Sequence, residues 1–353
     1  MKRFFYLAAI VLISSLSTAV QAKSWRINND PAAKADFLSI NDAMASNDVY
    51  PGDVLYLDPA CRLPEQTITK GVTIIGTGYN LVEAEEAMVE GIRIGANNIK
   101  LTGINVTGWI RPGGGSDSSF DRLVVERCKL KGFEASGRWD GNILKTDIIG
   151  CYIIGDVIGS GLSLFLRNSI VIGYVSNAKN SIISNNVVIY DSENAESLSF
   201  APLRSITNST ITNNIIINTT THTTTTDNVV TNWNYMTIQN TAVTDYNTIN
   251  NNVLSTDAEH VWADFPTNKF IGAKVEDIFV NEGNQEEKYK LKEGSAAIGY
   301  GTNGVDCGAF DGMYPYVLCG RPQFVPYIYE AQIPNNTTDG KLKITLKVKT
   351  QNE

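Results

Sequence analysis

The chain has 353 residues, of which 43% are hydrophobic and 19% charged, and its formal net charge is −8 at pH 7. This acidic balance, with no cluster of Lys and Arg in the repeats described below, argues against nucleic acid as a ligand. The length is compatible with one elongated domain behind an N-terminal leader.

The N-terminus has the pattern of a secretory signal peptide over residues 1–22. Lys2 and Arg3 precede an apolar run at 4–16, and small residues at 20–22 offer a cleavage site. The apolar run is short for a membrane anchor, and no later stretch approaches spanning length. We therefore expect a secreted, periplasmic or cell-surface protein with no membrane span.

Residues 23–98 are expected to form an N-terminal cap and the first coils of a repeat. A helix over 36–44 would place Phe37, Ile40 and Met44 on one face. That face would cover the open end of the core, which otherwise exposes a strand edge. The segments at 67–76 and 91–95 then have the composition of strands bounded by glycine.

A six-residue pattern returns seven times between residues 99 and 255. Its first position is always aliphatic: Leu101, Val125, Ile148, Leu166, Ile183, Ile211 and Ile249. Its last position is always aliphatic as well: Val106, Leu130, Ile153, Val171, Val188, Ile216 and Leu254. Its third position is Gly or Asn with one exception: Gly103, Arg127, Gly150, Asn168, Asn185, Asn213 and Asn251.

The third position predicts a sharp bend between two strands. Gly and Asn enter left-handed backbone conformations at low cost, and a bend there keeps both aliphatic positions inside despite the broken strand alternation. The start-to-start spacing varies from 17 to 38 residues. Regular bends with variable connections indicate a solenoid of stacked coils. We attribute the paired asparagines beside the bend to amide stacking between coils rather than to a ligand.

Stacked parallel coils rich in Ile, Val, Asn and Thr fit this pattern better than a leucine-rich repeat, which has one strand per repeat. The pattern resembles the right-handed parallel β-helix of the pectate-lyase-like superfamily, in particular secreted β-helix repeat proteins of Gram-negative bacteria. The sequences at 39–44 and 51–57 resemble that family's capping helix and first strand. Those at 291–299 and 306–312 resemble its closing coil. The resemblance implies an all-β solenoid with coils and closing coil at 99–320.

The C-terminal residues 321–353 are predicted to form a β-hairpin extension packed on the helix. Alternation over 341–349 puts four apolar residues on one face and lysines on the other. An outward stripe on the coils, made of Ile154, Ile172, Ile189 and Ile217, also needs a cover. A long loop or this hairpin could supply that cover, and a subunit interface is the alternative.

Five cysteines occur in a chain that is expected to reach an oxidising compartment. Cys307 and Cys319 flank a turn-rich stretch and are the preferred disulfide candidate. Cys128 and Cys151 occupy one column of consecutive coils, and they could be bonded or could be free thiols in the core, which we favour. Cys61 has no assigned partner.

Aromatic and acidic residues follow the second strand of each coil. With a constant offset they form the column Trp109, Phe133, Asp156, Tyr174 and Asp191. Aromatic faces beside arginine suit pyranose rings and uronate carboxylates, so the candidate substrate-binding residues are Trp109, Phe133, Trp139 and Tyr174. The alternative is that Trp109, Phe133 and Trp139 pack the loops onto the coil surface.

The chemistry implied by the resemblance is that of a polysaccharide lyase, in which a base removes a proton beside a carboxylate neutralised by Ca²⁺ or a cation. The candidate catalytic residues are Arg138, Arg111, Asp140 and Lys145. The candidate Ca²⁺ ligands are Asp117, Asp121 and Asp140. The motif set of polygalacturonases is absent, so a glycoside hydrolase is the weaker expectation. Separately, no Cys–His constellation suggests zinc.

The expected function is binding of polysaccharide by an exported β-helix protein, which would act as a lyase on uronate-containing glycan if it is catalytic. The alternative is a non-catalytic adhesion, binding or structural protein with the same architecture. A groove that gathers a base, a carboxylate cluster and an exposed aromatic residue would favour the enzyme.

Overall fold

A computed structural model describes residues 22–349, apart from 82–85, 138, 191–200, 220, 227–228, 235–237, 240–245, 256–266, 271–274, 323–326 and 333–339. The predicted signal peptide lies outside the described residues except for Ala22. Among the residues described, no helix is long and apolar enough to cross a membrane.

The predicted right-handed parallel β-helix is confirmed. Each full coil has three strands, which stack on those of the next coil to build faces A, B and C. Three long strands turn from one face to another: β9 (Asn105–Pro112) and β12 (Lys129–Glu134) from B to C, and β17 (Val157–Arg167) from C to A. The other strands of face A are β1 (Ser24–Ile27), β2 (Val54–Leu57), β5 (Thr73–Ile75), β8 (Ile99–Thr102), β11 (Leu123–Glu126), β15 (Lys145–Ile149), β20 (Ile182–Ser184), β23 (Thr210–Thr212) and β28 (Thr248–Asn250).

Face B lies beyond the Gly/Asn bend, and face C follows it. The other strands of face B are β3 (Arg62–Leu63), β6 (Met88–Val89), β16 (Tyr152–Ile153), β18 (Ile170–Ile172), β21 (Val187–Tyr190), β24 (Ile215–Asn218), β29 (Val253–Leu254) and β30 (Lys269–Phe270). Those of face C are β4 (Gln66–Ile68), β7 (Ile92–Ile94), β19 (Val175–Ala178), β22 (Leu203–Arg204) and β27 (Ile238–Gln239).

The two aliphatic columns form the continuous interior that the repeat predicts. Leu101 pairs with Val125 and Val125 with Ile148, and the same register continues to Ile249. The column that begins at Val106 pairs in the same way as far as Leu254. Every residue of both columns is 0% exposed. Burial of these side chains is the main favourable term that holds the coils together.

The bend position is left-handed in all seven repeats, with φ between 47° and 65°, and this includes Arg127. Beside it runs a buried asparagine ladder, in which Asn186 Nδ2 donates to Asn214 Oδ1, Asn214 Nδ2 to Asn252 Oδ1, and Asn252 Nδ2 to Asn268 Oδ1 at 2.8–2.9 Å. The ladder satisfies buried amides from coil to coil, as the sequence predicts.

Helix α1 (Ile40–Ala45) caps the first coil. The Ser39 hydroxyl accepts the Asp42 N–H at 3.0 Å, and Ile40, Ala43 and Met44 are buried in the core. The strand at 24–27, which precedes the cap and pairs with the strand at 54–57, was not predicted. Its short sequence gives little alternation to recognise.

Residues 275–320 form a strap along face B instead of the predicted closing coil. The strap contains helix α2 (Val275–Ile278) and 3₁₀ turns at Glu287–Tyr289, Thr302–Gly304 and Leu318–Gly320. It packs on two outward apolar columns, one of which was not recognised in the sequence: Tyr152, Ile170, Val187, Ile215 and Val253. Within the predicted stripe, Ile189 and Ile217 are buried under the strap and Ile172 is partly buried, whereas Ile154 is 48% exposed.

Hydrogen bonds fix the strap to the outer asparagines of the bend. Asn168 Nδ2 donates to the Ala309 carbonyl at 3.0 Å, and Asn213 Oδ1 accepts the Thr302 N–H at 2.9 Å. The outer asparagines therefore bind the strap, a role that the sequence did not reveal.

The N-terminal half of the strap contributes Glu286, a carboxylate that is 0% exposed. Glu286 accepts hydrogen bonds from Tyr316, Asn80 and the Cys319 N–H at 3.0, 2.6 and 2.8 Å.

Three smaller sheets accompany the coils. A three-stranded sheet is formed by β10 (Ser119–Phe120), β13 (Ser136–Gly137) and β14 (Gly141–Ile143). Strands β25 (Thr221–Thr226) and β26 (Val229–Asn234) form a hairpin, as do β31 (Tyr327–Gln332) and β32 (Thr345–Lys349). Leu342, Ile344, Leu346 and Val348 are 45–54% exposed, so of the two predicted covers the long loop, here the strap, lies over the stripe and the C-terminal hairpin does not.

All five cysteines are free. The predicted Cys307–Cys319 disulfide is wrong, because the two thiols face different parts of the molecule. Cys307 Sγ lies 3.1 Å from the Asn251 carbonyl and Cys319 Sγ lies 3.6 Å from the Asn80 carbonyl. Cys128 and Cys151 are buried core thiols, the alternative that the sequence favoured.

Candidate functional site

The outer surface of face C carries the residues that the sequence singled out. Ile110, Phe133, Val157, Val175 and Leu203 pair in register and point inward. Because strand side chains alternate, the residues on either side of this column point outward. The preceding residues form the first outward column: Trp109, Gly132, Asp156, Tyr174 and Pro202, the last of which is buried. The following residues form the second: Arg111, Glu134, Ile158, Ser176 and Arg204, of which Ser176 is buried.

Phe133 was predicted to lie beside Trp109 on this surface, and that prediction is wrong. The corner between faces B and C is one residue shorter in the Phe133 coil, where Leu130 pairs with Val106 and Gly132 already pairs with Trp109. The register shift moves Phe133 into the core, where it is 0% exposed. Gly132 takes its place in the outward column.

Trp109 and Arg111 lie side by side on face C. We call such a pair of an aromatic residue and a neighbouring arginine a station. The indole of Trp109 lies over Gly132, where a Cβ would come within 2.8 Å of the ring. The Arg111 guanidinium carbon lies 6.0 Å from the centroid of the Trp109 ring. The Arg111 Nε is buried without a hydrogen-bond partner, and Arg111 makes no ion pair with any residue that the structure describes. This arginine is partly buried, and no acid among the described residues lies within ion-pair distance of its guanidinium.

Asp140 is also on this flank, but its carboxylate is engaged. Arg93, which pairs in register with Arg111 on the neighbouring coil, donates from Nη1 to Asp140 Oδ2 at 3.0 Å and from Nε to Glu65 Oε1 at 3.0 Å. This bridge fixes the loop that carries Asp140 to the coils. The two adjacent arginines therefore differ: Arg93 has two acidic partners, whereas Arg111 has none in the described part of the chain.

Tyr174 belongs to a second station, three coils further along the same column. Strands stack about 4.8 Å apart, so this station lies about 14 Å from Trp109. Asp156 Oδ1 accepts the Tyr174 N–H at 3.3 Å, and the Arg204 guanidinium carbon lies 4.0 Å from the Tyr174 ring centroid. The Tyr190 ring is 6.2 Å from that of Tyr174. Burial raises the pKa of Asp156, while hydrogen bonds from Tyr174 and the charge of Arg204 act in the opposite direction.

One of the remaining predicted residues lies on a different face. Lys145 lies on face A, where its ammonium is 4.9 Å from the ring centroid of Phe165. Its grouping with Arg111 is therefore wrong, since the chain passes from face C to face A between them. Trp139 lies in the loop and is 70% exposed. Arg138 lies outside the described residues.

The three candidate Ca²⁺ ligands do not form a site. Asp117 is exposed, Asp121 lies 3.6 Å from Arg122, and Asp140 is bound to Arg93. In the regions that the structure covers, no three His, Cys, Asp or Glu side chains are grouped closely enough to hold a metal ion. The donor set therefore does not fit the Ca²⁺ chemistry that the resemblance implies.

No family model, curated protein or solved structure matches this chain.

Arg93, Glu65, Tyr190 and Arg204 were not identified from the sequence. A usable signal existed for Arg93, because Ile-Arg-Ile-Gly at 92–95 and Ile-Arg-Pro-Gly at 110–113 share a pattern. Aligning the two would have placed both arginines in one outward column. The connection before Arg204 differs in length from those of the other coils, so the register of Arg204 could not be read from the spacing.

Proposed function

We propose that this protein binds an acidic polysaccharide on face C, with Trp109 stacking on a sugar ring and Arg111 pairing with a carboxylate of the chain. The observation that carries the proposal is the partly buried Arg111, which lies beside an indole and has no ion-pair partner among the described residues, in a protein of net charge −8. A planar guanidinium binds carboxylates in bidentate fashion, and an aromatic face suits a pyranose.

Binding is better supported than cleavage. Asp140 is held in an ion pair with Arg93 and Lys145 lies on another face, so neither of these two catalytic candidates offers an unengaged base at the Trp109–Arg111 station. The pectate-lyase-like resemblance and the pattern at residues 1–22 support an exported, carbohydrate-directed role. We propose secretion, or retention in the periplasm or at the cell surface, as the setting of this binding.

The test is affinity for a panel of acidic polysaccharides, with a neutral glucan as the negative control. The variants are Trp109→Ala, Arg111→Met and, as a matched charge-removal control on face A, Lys145→Met. We expect Trp109→Ala and Arg111→Met each to weaken binding at least tenfold, and Lys145→Met to stay within twofold of the wild type.

Two outcomes would overturn the proposal. One is that no acidic polysaccharide binds, and the other is that Arg111→Met binds as tightly as the wild type. The same samples should be followed for ultraviolet absorbance of unsaturated sugar. Binding without new absorbance is expected, whereas product formation that Arg111→Met abolishes would replace binding by lyase activity as the function.

A further inference from the structure

The two stations of face C share one chemistry. The first combines Trp109 with Arg111, and the second combines Tyr174 with Arg204. Both aromatic residues occupy the first outward column and both arginines the second, as the register of the inward column requires. A linear ligand lying along the axis of the β-helix would meet both stations.

Two acids of the outward columns lie between Arg111 and Arg204 along the axis. Glu134 follows Arg111 in the second outward column, and Asp156 precedes Tyr174 in the first. Both carboxylates are partly exposed. On the other side of Arg111, Glu65 and Asp140 flank Arg93. Among the described residues, a ligand along the axis therefore meets Arg111, then Glu134 and Asp156, and then Arg204, whose charge also acts on Asp156.

We infer that the ligand of face C is a heteropolysaccharide whose acidic residues are separated by neutral sugars, so that its carboxylates meet Arg111 and Arg204 while neutral hydroxyls meet Glu134 and Asp156. This inference rests on the proposed binding of acidic polysaccharide. It specifies how far apart the carboxylates lie along the polysaccharide, which the single station at Trp109 does not.

The physical basis is the cost of like charges at close range. A homopolymer with a carboxylate on every residue would place anions against Glu134 and Asp156, in a partly buried environment where their repulsion is poorly screened. Sugar hydroxyls donate hydrogen bonds to the same carboxylates. Glu134 and Asp156 therefore select against the homopolymer, which is specificity by repulsion.

The experiment compares chains of matched length: polygalacturonate, with a uronate at every residue; hyaluronan, with one at every second residue; and gellan, with one at every fourth. Affinities are measured for wild type, Arg204→Met, the double variant Glu134→Gln/Asp156→Asn, and the face A control Asp147→Asn. Thermal melting of each variant confirms that it is folded.

We expect wild type to bind hyaluronan or gellan at least tenfold more tightly than polygalacturonate. Arg204→Met should weaken that binding at least fivefold, and Glu134→Gln/Asp156→Asn should tighten polygalacturonate binding at least fivefold, with Asp147→Asn unchanged. Equal or tighter binding of polygalacturonate by wild type, or no effect of Arg204→Met, overturns the inference. The proposed function would still stand in that case if Arg111→Met abolished binding, so the two failures are distinguishable.

Discussion

Replacing Asn214 by leucine removes the centre of the buried asparagine ladder while keeping a side chain of similar size. Asn214 is 0% exposed. Its Oδ1 accepts the Asn186 N–H and Nδ2 at 2.9 Å each, and its Nδ2 donates to the Ile183 carbonyl and to Asn252 Oδ1 at 2.9 Å each. Leucine can replace none of these four bonds.

The cost can be estimated from the partners that are left behind. Asn186 Nδ2 also donates to the Leu166 carbonyl, and Asn252 Oδ1 also accepts the Asn214 N–H, so these two groups keep a partner. The Asn186 N–H loses its acceptor inside the core. A buried orphan costs about 1–3 kcal/mol and each of the three other lost bonds about 0.5–1.5 kcal/mol, so we expect a loss of roughly 3–7 kcal/mol.

Urea unfolding followed by circular dichroism measures this loss, and hydrogen exchange at the Asn186 amide locates it. Asn250→Leu is the control, because Asn250 lies on the outer surface of the neighbouring coil, where its Oδ1 accepts one bond from Thr267. We expect Asn250→Leu to cost less than about 1 kcal/mol. Equal destabilisation by the two variants, or unchanged exchange at Asn186, would refute the ladder as a source of stability.

Three further predictions follow from burial. Burial raises the pKa of Glu286 against the hydrogen bonds that lower it, so folding favours the protonated carboxyl, and this stabilisation is lost as the pH rises through the raised pKa. The unfolding free energy of wild type relative to Glu286→Gln should then fall between pH 4 and 7, and a rise would contradict this. Burial raises the pKa of the Cys128 and Cys307 thiols to about 12, so a thiol reagent at pH 8 should modify at most Cys319 in the native protein and all five cysteines in urea; only three reactive thiols in urea would reveal a disulfide. Phe133→Ala should cost about 3–5 kcal/mol and Trp139→Ala less than about 1 kcal/mol in urea unfolding, and a reversed order would contradict the register of face C.

The coil interior could be predicted because its signal repeats. Aliphatic residues at fixed distances from a Gly or Asn bend recur in seven coils. A wrong position for the bend in any one coil would have left a column without its aliphatic residue. Arg127 was the single exception at the bend, yet it adopts the same left-handed conformation with φ of 51°. Stacking between neighbouring coils therefore fixes the backbone even where the local preference is weak.

The surface could not be predicted to the same extent, because corners differ in length from coil to coil. One missing residue at the corner before Gly132 turned Phe133 inward, and the passage from face C to face A separated Lys145 from Arg111. The strap escaped recognition because irregular backbone has no period. Its contacts with Asn168 and Asn213 are made by residues that the repeat already explained as bends.

A crystal structure of the protein with an acidic oligosaccharide is the most direct test of binding on face C. We expect a sugar ring on Trp109 and a carboxylate within hydrogen-bond distance of the Arg111 guanidinium. A ligand seated instead on face A, between Lys145, Phe165 and Arg167, would contradict it.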